Sequence, residues 1–246
     1  MNEGGTSSAT QRIRSAYATR SPVLDLSRCG LGELPDAVRR LTHLESLDLR
    51  DNVIEDLPAW LAELDRLAEL DVTHNQIDEV PEVIGDLAGL RALDLSENSL
   101  ESGSLDFLGR LTRLTRLTLV DTRAERLPES VGNLTRLDEL NLYHSWFSDD
   151  PRSLPDTLGQ LTGLTRLELS GNGLTAVPGW IRGLTGLRRL GLWGNEITEI
   201  PEWLGELTAL TELSLPGEPD ERLLAVLRRL PHLENVTSDF GDVDLS

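Results

Sequence analysis

The chain has 246 residues, a formal net charge of −19 and 51 leucines, about a fifth of the sequence. All 23 of its basic residues are Arg, so it lacks the lysine that a P-loop, a protein kinase or a Schiff-base enzyme requires. The excess of acidic residues argues against binding to nucleic acid or to an anionic membrane, since both require clustered positive charge.

The chain begins with a polar stretch and not with a targeting segment. Its first ten residues contain no apolar run, no later apolar run is long enough to cross a membrane, and the single cysteine, Cys29, cannot form an internal disulfide. We therefore expect a cytoplasmic protein, and the absence of Lys beside abundant Arg, Ala and Gly favours a bacterial source. Within residues 1–20 we expect a disordered start and then a short helix at residues 11–20 that covers the next element.

An eleven-residue pattern, L-x-x-L-x-L-x-x-N-x-L, recurs through residues 21–236. Successive copies from Leu44 to Leu210 start 23, 23, 24, 23, 27, 23 and 23 residues apart, and an earlier copy covers residues 23–31. These spacings predict nine repeats and a partial tenth. The longer intervals place insertions near residues 101–104 and 147–153.

Each repeat is predicted to contain one strand and one short return, the segment that leads the chain back to the start of the next strand. Apolar and polar residues alternate in the middle of each copy, as in a strand with one buried face. A Leu-Pro, Val-Pro or Ile-Pro pair then precedes a segment with apolar residues three apart, which favours a helical or 3₁₀ turn. A unit of this size cannot bury its apolar side alone, so the units must stack.

The last predicted elements follow the repeats. Residues 220–230 carry acids at the start and arginines at the end, which suits a helix that caps the stack. Residues 237–246 read as an acidic tail.

The repeated pattern resembles that of leucine-rich repeat proteins of the 23-residue class, over nearly the whole chain. The resemblance implies an α/β fold: a curved solenoid with a parallel sheet on its concave side and helical or 3₁₀ returns on its convex side. The interior position at which the chain turns away from each strand is predicted to satisfy backbone groups of adjacent coils. It is occupied by Asn52, Asn75, Asn98, Asn172 and Asn195, with Cys29, Thr122, Ser145 and Glu218 in the weaker copies.

Trp60, Trp180 and Trp203 recur two residues after a Pro, in a column on the convex side that Phe107 shares. We interpret this column as packing between neighbouring coils, and a second binding surface is the alternative.

The residues between the strand leucines point outward on the concave side. In the first half they form an acidic stripe of Asp25, Asp48, Asp71 and Asp94, with neighbours about 5 Å apart. A cation site would be possible at that spacing, but a solvated stripe that selects a partner by charge is the favoured interpretation.

The second half of the concave side combines arginines with exposed aromatic residues, the types that most often anchor protein interfaces. We predict a partner-binding patch there, beside the longer insertion. Alternatively, Trp146 and Phe147 fold the insertion back onto the solenoid. The patch consists of Arg116, Tyr143, His144, Trp146, Phe147, Arg166, Arg189 and Trp193.

No catalytic motif is present, and no cofactor or metal is predicted. His74 and His144 share a position but lie three coils apart, about 14 Å, too far to bind one metal ion. We therefore predict a monomeric, non-enzymatic scaffold whose concave face binds a protein partner that is either neutral or basic in part. The alternatives are an acidic inhibitor-like module that occludes a basic enzyme, or the recognition subunit of a larger enzyme or effector complex.

Overall fold

The computed structural model describes residues 3–100, 105–145, 147 and 153–245, and these form a solenoid with one continuous sheet. Strands β1 to β10 are parallel and lie side by side in chain order, and β11 pairs antiparallel with β10. This confirms the predicted leucine-rich repeat architecture. The strands are Val23–Asp25, Ser46–Asp48, Glu69–Asp71, Ala92–Asp94, Arg116–Thr118, Glu139–Asn141, Arg166–Glu168, Arg189–Gly191, Glu212–Ser214, Asn235–Ser238 and Gly241–Asp242.

The register of the sheet pairs equivalent positions of neighbouring repeats. Leu24 is aligned with Leu47, and Leu47 with Leu70. All three leucines are buried, while the residues before and after each point away from the interior. The alternation in the sequence therefore identifies correctly which side chains lie on the concave face.

The eight returns between β1 and β9 are 3₁₀ helices of five residues each. A Pro precedes seven of the eight, and Leu105 precedes the other. Pro suits this position because its φ is fixed and it has no N–H to leave unpaired. The helices are Asp36–Arg40, Ala59–Glu63, Glu82–Asp86, Asp106–Arg110, Glu129–Asn133, Asp156–Gln160, Gly179–Gly183 and Glu202–Glu206.

The aromatic column of the convex side packs against the interior. Phe107 and Trp180 are buried, and Trp60 and Trp203 are partly buried against the core. This supports packing between coils as the role of the column.

Asn side chains connect consecutive coils in the interior. Asn75 Nδ2 donates to the carbonyls of Leu49 and Val72 at 3.0 and 2.9 Å, and its Oδ1 accepts from Ile54 N at 3.0 Å. One amide thus satisfies backbone groups of its own coil and of the preceding one. In the weaker copies, Thr122 makes one such bond, to Leu119 O at 3.3 Å.

The residue before each of these interior positions adopts a left-handed backbone conformation. This position turns the chain sharply out of the strand and places a side chain at the edge of the sheet. Non-glycine residues occupy it in the first six repeats, although glycine adopts the conformation with less strain. The column is Arg28, Asp51, His74, Glu97, Asp121 and His144, followed by Gly171, Gly194 and Gly217.

The N-terminal end of the solenoid differs from the prediction, whereas the C-terminal end contains the helix predicted within residues 220–230. Helix α1 spans Glu3–Thr19, so it begins well before residue 11, and no disordered start precedes residue 11 within the described part of the chain. Its buried residues Ala9, Ile13 and Ala16 lie at the i, i+4, i+7 spacing of one helix face. At the other end, helix α2 spans Glu221–Leu227. The predicted acidic tail supplies the end of β10 and all of β11.

Candidate functional site

Three columns of outward side chains cover the concave face. The outer column begins each strand, the central column ends each strand, and the edge column lies two residues beyond the central one. The predicted acidic stripe forms the start of the central column, in the register Asp25, Asp48, Asp71, Asp94.

Two arginines lie among the acids of this stripe. Arg50 Nη2 is 2.7 Å from Asp48 Oδ2, and its Nε is 3.3 Å from Asp71 Oδ2. Arg12 of helix α1 is 3.1 Å from Asp25 Oδ1. Burial raises the pKa of Asp71 above its ordinary value, and neighbouring Asp94 adds to that effect. The stripe is therefore negative but partly neutralised from within the chain.

The arginines of the second half are also paired. Arg166 Nη2 lies 2.8 Å from Asp138 Oδ2 and 3.2 Å from Glu139 Oε2. Arg189 Nη2 lies 3.0 Å from Glu212 Oε1. These ion pairs hold the guanidinium groups along the outer column, where they border a groove of about 340 Å³.

Arg116 differs from the other predicted arginines. It is exposed on β5, next to Glu139 in the register, and it forms no ion pair with any residue that the structure describes. Its charge is therefore available to a group outside the chain.

The edge column presents the predicted aromatic residues. Tyr143 is 38% exposed and Trp193 is 42% exposed, on coils separated only by the coil of β7. His144 lies at the same edge, with its ring centroid 5.9 Å from that of Tyr143. Its Nδ1 is 3.5 Å from Asp121 Oδ1. The structure thus brings together Tyr143, His144, Arg166, Arg189 and Trp193 on three adjacent coils.

One predicted member of the patch is corrected. Phe147 is completely buried, because its ring packs in the hydrophobic core, so it is not available to a partner. Its backbone N donates to Asn172 Oδ1 at 3.4 Å. The insertion is thus folded back onto the solenoid at this residue. Trp146 lies outside the described residues.

The cross-coil ion pairs were not predicted from the sequence. Arg28 and Asp51 are 3.0 Å apart, Arg39 and Glu63 are 2.5 Å apart, and both pairs join adjacent repeats. Opposite charges at the same position or at adjacent positions of consecutive repeats, 23 or 24 residues apart, are the signal that could have identified them. The central carboxylate of Glu168 was also missed as a candidate.

The described residues contain no cluster of three or more His, Cys, Asp or Glu side chains that could hold a metal ion. Neither α helix in the described part of the chain combines the length and apolar character that a membrane span needs. Among the residues that the structure describes, the concave face carries ion pairs, Arg116 without an ion pair, and the exposed rings of Tyr143 and Trp193.

Comparison with known proteins agrees with the fold. A family profile described as a leucine-rich repeat region matches residues 87–246, and a second, described as leucine rich repeat, matches residues 23–77. No curated protein matches the chain in sequence.

Several solved structures share the architecture. An internalin (InlF) from Listeria monocytogenes is 24% identical with a TM-score of 0.67, over 90% of this chain and 67% of that one. The plant peptide hormone receptor RGFR1, solved in complex with RGF2, is 28% identical with a TM-score of 0.64, over 84% of this chain and 37% of the receptor. A TDR receptor is 22% identical with a TM-score of 0.72, over 88% of this chain and 42% of that receptor. This chain spans less than half the length of either receptor.

Proposed function

We propose that this chain, which belongs to the leucine-rich repeat family, is an interaction scaffold whose concave sheet binds another protein. The exposure of Tyr143 and Trp193 in the edge column carries the proposal. The repeat places its large apolar side chains in the interior, and neither ring is buried there. Exposed Tyr and Trp beside Arg are the residues that most often contribute strongly to protein interfaces.

The charged groups beside the rings suit a protein partner. Arg166 and Arg189 are held by carboxylates of the same chain, so little side-chain entropy is lost when a partner contacts them. Arg116 would pair with a carboxylate of the partner, because its own chain offers it no ion pair within the described residues.

The comparison with RGFR1 supports binding of a protein or peptide by a surface of this architecture, since that receptor was solved in complex with RGF2. Only the general mode of binding is carried over, because this chain spans 37% of the receptor. As part of the proposal, the protein is a cytoplasmic monomer that takes no cofactor and performs no catalysis of its own.

The test compares two triple variants of the full chain. Tyr143→Ala, Arg189→Ala and Trp193→Ala remove the proposed anchors from the concave face. The control, Tyr17→Ala, Arg222→Ala and Phe240→Ala, removes comparable residues elsewhere. Tyr17 and Phe240 are 62% and 76% exposed, and Arg222 is paired with Glu202 as Arg189 is with Glu212.

Partners are first recovered on the immobilised wild-type chain, and their affinities for all three proteins are then measured by calorimetry. We expect the triple variant of the concave face to bind its partner at least about tenfold more weakly, because the loss of even one strong anchor has an effect of that size. The control triple variant should bind like the wild type. Equal affinity of the concave triple and the wild type would remove the concave face as the binding surface.

A further inference from the structure

We infer that Glu168, on the coil between those that carry the exposed rings of Tyr143 and Trp193, forms a binding site for an arginine side chain of the protein partner. This inference rests on the proposed function, because it names the chemistry by which the concave sheet would recognise that partner.

The Glu168 carboxylate has a fixed place on the sheet. It lies over Gly191 of the next strand and fills the space that a Cβ of that residue would occupy. Its Oε1 accepts a hydrogen bond from Ser170 N at 2.9 Å. The absence of a side chain at Gly191 thus lets the carboxylate reach across to the strand that leads into Trp193.

Ser170 occupies the edge column between the two rings and is only 3% exposed. Its carbonyl accepts from His144 N at 2.9 Å, and Gly171 N donates to Trp193 O at 2.8 Å. These bonds connect the three coils in register. Tyr143 and Trp193 therefore lie on the two coils that flank the coil of Ser170 and Glu168.

The charge of Glu168 is not neutralised within the chain. It forms no ion pair with the residues that the structure describes, whereas its cationic neighbours Arg166 and Arg189 are already paired with other carboxylates. Three carboxylates and two guanidinium groups line the groove, which leaves a net charge of −1 from Glu139, Glu168, Glu212, Arg166 and Arg189. Asp138, which is paired with Arg166, adds a further negative charge nearby. An incoming cation is therefore attracted to this place.

Arginine fits this place better than lysine does. The Glu168 carboxylate lies over Gly191, two residues before Trp193 on the same face, so a flat side chain that binds the carboxylate can also contact the Trp193 ring. A guanidinium is planar, stacks on the face of an aromatic ring and donates two parallel N–H bonds to a carboxylate. A compact, strongly hydrated ammonium makes neither contact as well.

The test uses the peptide acetyl-Gly-Ser-Gly-Arg-Gly-Ser-Gly-amide as the probe, and the same peptide with citrulline, which has the shape of arginine but no charge. Binding is followed by NMR through the backbone N–H of Gly191 and the indole N–H of Trp193. We expect the arginine peptide to shift both signals in a saturable way, and the citrulline peptide to bind at least tenfold more weakly.

Glu168→Gln and Trp193→Ala should each weaken binding of the arginine peptide at least tenfold. Glu168→Gln keeps an oxygen that can accept from Ser170 N, so the sheet is retained. Glu79→Gln, at an exposed acid outside the concave face, makes the same charge change and should leave binding unchanged. Equal weakening by Glu79→Gln and Glu168→Gln, or equal binding of the citrulline peptide, would overturn the inference.

The failure of this inference is distinguishable from that of the proposed function. If the arginine peptide does not bind but the concave triple variant loses its partner, only the arginine site is wrong. If the arginine peptide binds at Glu168 but the concave triple keeps its partner, the proposed function is wrong and the arginine-binding property stands.

Discussion

His74 Nδ1 lies 2.7 Å from Asp51 Oδ1, a contact between equivalent positions of two adjacent repeats. Both residues have the left-handed backbone conformation that ends the strand, so their side chains stand next to each other at the same edge. Asp51 also accepts from Arg28 Nε at 3.0 Å. Basic and acidic side chains thus alternate along this edge and link the first three coils.

The His74–Asp51 pair should make stability depend on pH. The hydrogen bond that protonated His74 donates to Asp51 raises the pKa of His74 above its usual value of 6.5, and negative Glu97 adds to that effect. Because the folded state holds the proton more tightly, the stabilisation is complete below pH 6.5 and is lost as the pH rises through the folded pKa. NMR titration should therefore place the pKa of His74 above 6.5.

In that titration, Asp51→Asn should lower the pKa of His74, while Asp56→Asn, which removes an exposed charge from the same repeat, should change it little. An unchanged His74 pKa in Asp51→Asn would show that the pair does not form in solution.

Replacing an interior Asn should destabilise the solenoid strongly. Asn75→Ala removes the acceptor for Ile54 N and the donor for the carbonyls of Leu49 and Val72. Leaving these buried groups unpaired should lower the free energy of unfolding by about 3 kcal/mol. Urea unfolding followed by circular dichroism measures the loss.

The control for this variant is Asn133→Ala, at an exposed site where the amide makes one bond of 3.4 Å, to Gly109 O. We expect it to lose less than about 0.5 kcal/mol, as surface substitutions do. If Asn75→Ala and Asn133→Ala lose the same free energy of unfolding, the interior hydrogen bonds of Asn75 do not add the stability assigned to them.

The sequence predicts the sheet and its outward columns because the repeat fixes both at once. A 23-residue period aligns equivalent positions, and the alternation within each copy decides which side of the sheet each residue faces. Tyr143 and Trp193 were placed correctly at an exposed edge for this reason.

Other features depend on information that the period does not carry. Phe147 follows the repeat into an insertion, where no register indicates its direction, so the sequence leaves its burial as the alternative to exposure in the patch. The Glu168 carboxylate extends over Gly191 because of its side-chain conformation and because Gly191, on the neighbouring strand, has no Cβ. Helix α1 was predicted too short because small Ala9 was not recognised as part of its buried face.

A side chain at Gly171 should be tolerated at a measurable cost. This residue has a φ of +72°, and an added Cβ would lie 3.3 Å from His144 Cδ2. Other repeats accommodate non-glycine residues at this position, so Gly171→Ala should lose about 1–2 kcal/mol of unfolding free energy without loss of the fold.

The matched control is Gly179→Ala at the start of a 3₁₀ helix, where an added Cβ meets nothing within 4 Å. It should be neutral or stabilising by up to about 1 kcal/mol, because it reduces the freedom of the unfolded chain. A lower unfolding midpoint for Gly179→Ala than for Gly171→Ala would contradict the role assigned to the left-handed conformation at Gly171.

Phe147 and Phe240 offer a direct comparison of an interior and an exposed ring. Phe147 is fully buried in the core, and Phe240 is 76% exposed beside the last strand. Phe147→Ala should lose about 3–5 kcal/mol of unfolding free energy, because it leaves a cavity, whereas Phe240→Ala should lose less than about 0.5 kcal/mol. Phe147→Leu should recover most of the difference, since it restores apolar volume. Urea unfolding of the three variants decides the matter: similar losses for the two alanine variants would mean that the Phe147 ring is not in the core and would return it to the candidate contact surface.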